Sequence, residues 1–515
     1  MVEKKIRLLW VDDEIDLLTA HMHYLREKGY LVDSSTNGTD ALEMVAVGQY
    51  DLVFLDENMP GLSGLETLGR IKQSNPDLPI IMVTKSEEED IMDQAIGGKI
   101  ADYLIKPVNP NQIVLVIKKT LDKQRLISQT TNSAYQTQFS QLTLKINDSF
   151  SVEDWVDVYR KLVFWELELE QASGSMDEVL KLQKAEANRE FSKFVKKNYL
   201  SWMDGEGPML SHMLMKDKVF PLLDKGEKVF LIVVDNFRFD QWQIIRNLLT
   251  PDYHLNEEST YFSILPTATQ YARNSIFAGL TPLQITQMYP QYWVEEDAET
   301  SKNQFESELI QTLLDRYRRK HRYSYHKISD SEVGRKYVEN YKSLLDNDLN
   351  VVVFNFVDML SHARTEMKMI RELASDESAY RSLTLSWYHH SALKDLLTNL
   401  ASENYTVIIT TDHGTIRVAN AIKVVGDRAV NTNLRYKQGK NLAYNPKEVF
   451  EVKQPEKAGL PKNNISSTYI FAVNNDFMAY PNNYNYYVTY YKDTFQHGGI
   501  SMEEMILPFV VLKPK

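Results

Sequence analysis

The chain has 515 residues, enough for about three domains at the usual ~100–200 residues each. Its 58 Lys and Arg against 70 Asp and Glu leave a net charge of −12, which counts against a general nucleic-acid-binding surface, whose footprint is basic. With 43% hydrophobic residues it can build large cores. With no cysteine it can form no disulfide, thiolate metal site or cysteine nucleophile, so any metal must sit among carboxylates and some of the 11 histidines.

The opening residues, MVEKKIRLLWVDDE, reach acid before any apolar stretch long enough for a signal-peptide core. Runs such as VFLIVV fall short of the ~18 apolar residues of a membrane span, so a cytoplasmic protein without a membrane span is expected. Residues 1–120 hold 12 Lys and Arg against 20 Asp and Glu, and so carry most of the negative charge. Five short apolar runs, IRLLWV, YLVDS, DLVFLD, PIIMVT and ADYLI, alternate there with helical patterns such as DLLTAHMHYLREKG and LETLGRIKQ. Strands alternating with helices predict a parallel sheet covered on both faces, over residues 1–121.

The first predicted strand ends in Asp12–Asp13, the third in Asp56, the fourth in Thr84, and Lys106–Pro107 follows the fifth. In a parallel sheet these ends share one edge. Three carboxylates there suit Mg²⁺, Asp56 can act as a nucleophile toward a phosphoryl donor, and Lys106 and Thr84 can meet the added charge. VDDE, FLDENMPGLSG, VT and KP resemble the response-regulator receiver family. The resemblance implies a flavodoxin-like fold and a sensor histidine kinase as partner. It also implies Mg²⁺ held by Asp12, Asp13, Asp56 and the Asn58 carbonyl, Asp56 as phosphoacceptor, and Thr84, Tyr103 and Lys106 as the switch residues. Lys85 departs from the small residue commoner after the threonine.

Residues 122–225 change character. Trp155, Tyr159, Leu162 and Trp165 recur at helical spacing, as do Leu182, Ala185, Phe191, Phe194, Val195 and Leu200, which predicts a helical bundle acting as a connector. The polar stretch 122–140 reads as linker or as the start of a helix.

From residue 226 the strand–helix alternation returns over 226–515, with VFLIVVD, NVVVFNFVD and TVIITTDHG as buried strands, each ending in acid. Their ends supply Asp235, Asp358 with His362 as D-x-x-x-H, and Asp412 with His413; TFQHGG supplies His497, and Thr269 opens a helical pattern. These groups suit two divalent ions, with the Thr269 hydroxyl as nucleophile beside them. Arg273, one turn on, reads as a substrate-phosphate contact or as a paired arginine. YNYYVTYY (484–491) reads as an aromatic-rich strand or as base-stacking rings, His389–His390 as structural, and 363–386 as a lid or a solvated insertion.

These motifs resemble the PglZ branch of the alkaline phosphatase superfamily. The resemblance implies an alkaline-phosphatase-like α/β domain with a parallel-rich sheet. It gives one zinc ion to Asp235, Thr269, Asp412 and His413, and a second to Asp358, His362 and His497. It further implies a phosphodiester substrate of nucleotide or oligonucleotide type, with Thr269 catalytic.

The order receiver, helical connector, PglZ-type domain resembles response regulators tied to type IX secretion. It implies a phosphorylation-dependent homodimer and a sigma factor or secretion-system component as partner. ILPFVVLKPK ends the chain as a strand and not as a basic recognition helix, so no sequence-specific DNA binding is expected. The alternative is a non-enzymatic regulator whose metal-bound output is a dimerisation and protein-interaction module.

Overall fold

The computed structural model describes residues 5–85, 100–171, 176–295, 300–366, 373–374, 376–426, 433–462, 467–481 and 483–515. They form two compact units, one of Met1–Thr137 with Glu168–Met176, the other of Gln138–Leu167 with Asp177–Lys515.

In the first unit the five apolar runs become β1 (Arg7–Val11), β2 (Leu31–Ser35), β3 (Leu52–Asp56), β4 (Ile80–Thr84) and β5 (Asp102–Ile105). They pair in parallel in the order β2-β1-β3-β4-β5, a doubly wound flavodoxin-like sheet. Alternate residues feed opposite layers. Leu8, Trp10, Phe54, Ile81 and Val83 enter one core, and Leu9, Val11, Val53, Leu55 and Met82 the other. This is why the strands read as unbroken apolar runs. Helices α1 (Thr19–Glu27), α2 (Gly38–Val47) and α3 (Gly64–Ser74) lie between the strands. Ser63 and Glu66 form a capping box at the start of α3. The 122–140 stretch is helical, inside α4 (Pro110–Asp148).

The expected helical connector is present, and most of it groups with the second unit. Helices α5 (Val152–Gln171) and α6 (Asp177–Met203) form there. On α6 Leu182, Ala185 and Leu200 of the predicted stripe are exposed, and the buried face is Leu180, Ala187, Phe191, Val195, Tyr199 and Trp202, which packs against strand β7 (Tyr253–Phe262). Phe191 and Trp202 lie 6.3 and 5.6 Å from the Phe262 ring, and Tyr159 of α5 lies 5.9 Å from Phe239. Trp155, Tyr159, Phe191 and Tyr199 are fully buried, each side chain worth roughly 1.5–3 kcal/mol of apolar transfer. These helices are part of the output core.

That core surrounds a six-stranded mixed sheet. It contains β6 (Val229–Val234), β7, β8 (Tyr323–Ile328), β9 (Leu349–Phe354), β10 (Thr406–Thr410) and β11 (Ile506–Pro514), in the order β7-β11-β10-β6-β9-β8. Strands β10, β6, β9 and β8 run parallel, so their carboxyl ends share one edge; β11 and β7 close the other side antiparallel. The chain ends in the strand β11. Residues 484–491 are not a strand: Tyr484–Tyr491 is a helix, in which Tyr486 stacks on Tyr490 and Tyr487 on Tyr491. One helical turn sets those rings side by side, and this stacking outweighs their intrinsic preference for strand. The 363–386 stretch falls partly outside the described residues. From Glu377 it is a helix capped by the Asp376 side chain.

Candidate metal centre and nucleophile

The shared carboxyl edge of β6, β9 and β10 gathers the sequence-predicted acids. Asp235 follows β6, and its N–H donates to the Phe354 carbonyl at the end of β9. Asp358 and His362 lie one turn apart on α7 (Phe356–Glu366), and Asp412–His413 follow β10. Thr269 opens helix α8 (Thr269–Ala278). Ala268 is its N-cap, so the Thr269 hydroxyl is not used in capping. Thr269 Oγ lies 3.4 Å from Asp235 Oδ1 and 3.0 Å from His413 Nε2.

Two ligand groups result. Asp235, Asp412 and His413 form one, and Asp358, His362 and His497 the other, each with ligating atoms within 4.8 Å of one another. The His413 and His497 rings stack 4.2 Å apart, bringing the two groups together.

The imidazoles are held in the tautomer a metal needs. Nδ1 of His413 lies 3.1 Å from the Gly414 carbonyl, and Nδ1 of His497 lies 3.1 Å from the Thr267 carbonyl. A carbonyl only accepts, so Nδ1 carries the proton and Nε2 keeps its lone pair. Burial pushes His413 down, and burial with His413 beside it pushes His497 down to about 3. Burial thus favours the neutral form of both rings.

Burial works against the charged form of the carboxylates in the first group. Burial, reinforced by Asp412 and Asp358, pushes Asp235 up despite Arg273, and burial likewise raises Asp412. Burial raises Asp358 too, but the hydrogen bond with His362 outweighs it and holds it low. Asp412 Oδ2 is buried and accepts no hydrogen bond. Imidazole nitrogens and carboxylates without sulfur fit zinc or manganese.

Several contributors carry no sequence motif of their own. Asn236 takes a left-handed conformation (φ 62°) that a short polar side chain tolerates. Its N–H donates to Asp412 Oδ1, and its side-chain amide donates to Asp358 Oδ1 and Ser361 Oγ, at 3.3, 3.3 and 3.1 Å. One residue thereby ties three ligand-bearing loops. Asn303 Nδ2 donates to the Thr269 carbonyl at 3.1 Å. The glycine of DHG has a steric reason: a Cβ on Gly414 would lie 2.0 Å from the Glu503 carbonyl. Arg273 is 1% exposed, with Nη1 2.5 Å from Asp235 Oδ2 and Nε 2.5 Å from Glu306 Oε1. Of its two readings, that geometry fits the paired arginine.

A buried ionic network runs from the helical segment to these loops. Glu166 of α5 meets Lys184 of α6 at 2.6 Å and Arg381 at 3.0 Å, and Arg381 reaches Asp240 at 3.1 Å. Asp240 pairs with Arg238, three residues past Asp235, and Arg238 also meets Glu377 at 2.6 Å. Asn188 of α6 donates to Glu503 at 2.9 Å and accepts from the Met502 N–H at 2.8 Å, just beyond the HGG turn.

In the first unit Asp12, Asp13 and Asp56 also lie within 4.8 Å of one another. Lys106 Nζ sits 2.7 Å from Asp12 and 3.0 Å from Asp56, and burial pushes the Asp56 carboxyl up against the pull of Lys106. Thr84 Oγ donates to Glu57 at 2.5 Å; Tyr103 is 40% exposed and Asn58 lies at the surface. His389 and His390, also at the surface, stand outside all three groups.

Comparison with known proteins gives three consecutive matches. Residues 8–118 match the response regulator receiver domain, 125–203 the PorX response regulator linker domain, and 214–512 the BREX system PglZ alkaline phosphatase-like domain. The transcriptional regulatory protein ZraR of Klebsiella oxytoca is 34% identical over 139 residues, 27% of this chain and 31% of that protein. ResD of Bacillus subtilis is 36% identical over 124 residues, 24% of this chain and 50% of that protein. The chain thus spans about a third to a half of these relatives' length. A CheY-like receiver from Methanospirillum hungatei is 27% identical with a TM-score of 0.23, covering 24% of this chain and 98% of that one. Among the described residues no helix is long and apolar enough to cross a membrane.

Proposed function

Since the chain belongs to the PglZ alkaline phosphatase-like family, with a receiver and a PorX-type linker ahead of that domain, we propose that it is a phosphorylation-controlled, metal-dependent phosphodiesterase. Asp56 receives the phosphoryl group from a sensor histidine kinase, and the substrate is a nucleotide or oligonucleotide phosphodiester. The observation that carries this reading is the placement of the Thr269 hydroxyl against Asp235 and His413, beside a second complete ligand group.

Asp235, Asp412 and His413, with Thr269, would hold one zinc ion, and Asp358, His362 and His497 the other. Bound ions supply charge that favours the attacking and leaving oxygens. The chain does the rest. Thr269 Oγ attacks phosphorus, the bond to the departing alcohol breaks, and a threonyl phosphoester remains. Water then attacks phosphorus, the bond to Oγ breaks, and the threonine is restored. The first turn of α8 directs its N–H groups and positive dipole end to where the phosphate sits. Asn303 and Asn236 fix the nucleophile's backbone and the ligand loops.

In the receiver, Asp12, Asp13, Asp56 and the Asn58 carbonyl would hold Mg²⁺, and Lys106 meets the new charge on Asp56. Phosphorylation then favours a homodimer. The likeness to PorX-type regulators supports a role in type IX secretion, in the cytoplasm, through a sigma factor or a secretion component.

The test is turnover of bis-aryl against mono-aryl phosphates, then of a panel of cyclic and linear nucleotides, by metal-loaded protein. Preference for diesters with about two ions per chain supports the reading. Protein that binds no metal and turns over neither ester class refutes it.

A further inference from the structure

Arg273 stands behind the nucleophile, one turn into α8, and none of its partners beyond the acids is a ligand. Nη1 lies 2.5 Å from Asp235 Oδ2 and 3.6 Å from Asp412 Oδ2, while Nε lies 2.5 Å from Glu306 Oε1. Glu306 opens helix α9 (Glu306–Arg316), is 1% exposed, and its other oxygen accepts from the Tyr325 hydroxyl of β8. The order is the half-buried Tyr325, then Glu306, Arg273 and Asp235, all three buried, each meeting the next. Neither Glu306 nor Tyr325 belongs to a sequence motif.

A guanidinium beside a cation site poses an electrostatic problem. Alone, Arg273 adds a fixed positive charge within ion-pair range of two carboxylates meant for divalent ions, and repels those ions. It also draws Asp235 into a full salt bridge of its own. Glu306 offsets both effects by pairing with Arg273 at 2.5 Å, although it also faces Lys327 at 4.0 Å and Arg273 keeps its ion pair to Asp235. The pair still holds a guanidinium nitrogen against Asp235 Oδ2, as an ion-pair contact without hydrogen-bond geometry, which leaves Oδ1, the oxygen facing Thr269, for other work. Charged groups that hold a ligating carboxylate from behind set its orientation and its basicity.

We propose that Glu306 is a positioning residue for the Asp235–Asp412–His413 site. By neutralising Arg273 it lets the guanidinium orient Asp235 without competing for that carboxylate against a divalent cation. The proposal rests on the metal-centre reading above and deepens it. It separates the two ion sites, since Arg273 contacts two carboxylates of one group and none of the other.

The experiment is a Zn²⁺ titration of metal-free full-length protein against a chromophoric chelator, with circular dichroism as the fold control. Wild type, Glu306→Gln and the double variant Arg273→Met/Glu306→Leu are compared. Glu306→Gln is expected to weaken one of two binding steps by roughly 10–100-fold and to leave the other unchanged. The double variant, having lost the unpaired charge together with its partner, is expected to bind at that step more tightly than Glu306→Gln. Wild-type affinity at both steps in Glu306→Gln overturns the proposal. So does a double variant as impaired as the single one, whether in folding or in metal binding. A wild type that binds no zinc sinks the metal-centre reading itself, whatever the variants do.

Discussion

Glu166 is the residue through which α5 enters the ionic network, and replacing it with glutamine tests whether that network holds the output core together. The side chain is buried, 2.6 Å from Lys184 and 3.0 Å from Arg381. Burial raises its pKa, but Lys184 and Arg381 outweigh burial and hold the carboxyl down to about 2 from an ordinary 4.5. At ~1.4 kcal/mol per unit that shift is worth about 3 kcal/mol. Breaking one partner of a buried pair costs roughly 3–5 kcal/mol by a separate route, because Lys184 is left with only Glu503 at 3.5 Å. The folded pKa is depressed, so the contribution is complete above the unfolded value and lost as pH falls through the folded one. Near pH 3 roughly half should remain. Urea denaturation followed by tryptophan fluorescence should therefore show Glu166→Gln less stable by about 3 kcal/mol at pH 7, with the gap narrowing toward pH 3. A loss below about 1 kcal/mol at pH 7, or a gap unchanged with pH, would refute the reasoning.

Four further outcomes are expected. Thr269→Ala should lower phosphodiester turnover by roughly 10³-fold or more while still binding metal, and a variant that keeps full turnover removes the nucleophile assignment. Chelation should abolish turnover and lower thermal stability, because ions bound at ~100 times Kd add about 2.7 kcal/mol; calorimetry with and without metal checks this. Asp56→Ala should take up no phosphoryl group from a small-molecule donor and should not dimerise in response to it; equal sedimentation shifts in wild type and variant would show another trigger. Glu57→Leu should dimerise at a donor concentration lower by roughly 10-fold, since Thr84 must leave its hydrogen bond to the Glu57 carboxylate before turning to a phosphoryl oxygen. An unchanged midpoint would refute that.

Much of the architecture was legible because chemistry and topology coincide. Asp12, Asp56, Asp235, Asp358 and Asp412 each sit at or just past the end of an apolar run, and parallel strands bring such ends to one edge whatever lies between. His497 was readable from HGG. Asn236 was not, since an asparagine after a strand-end acid looks like any turn residue; only the folded loops show it bridging Asp412 and Asp358. Glu306 and Tyr325 were hidden for a different reason. A glutamate at a helix start and a tyrosine in an edge strand are surface features by pattern, and burial against Arg273 is a tertiary fact. The tyrosines of 484–491 misled because strand preference reflects packing on a pleated surface, and here they found partners one helical turn apart.

The helices α5 and α6 also decide where this protein can be cut and rejoined. Similarity to the phosphatase-like domain begins at residue 214, yet the compact unit that contains it begins at Gln138, inside α4. A foreign light- or ligand-sensing module spliced ahead of 138 would leave Glu166, Lys184 and Asn188 with all their partners. The same module joined at 214 would strip away those three side chains, leave Arg381 with Asp240 alone of its two acids, take Lys184 and Asn188 from Glu503, and bare the ring of Phe262 that Phe191 and Trp202 cover. A splice inside α4 therefore exchanges all of the first unit except Glu168–Met176, which stays with the output.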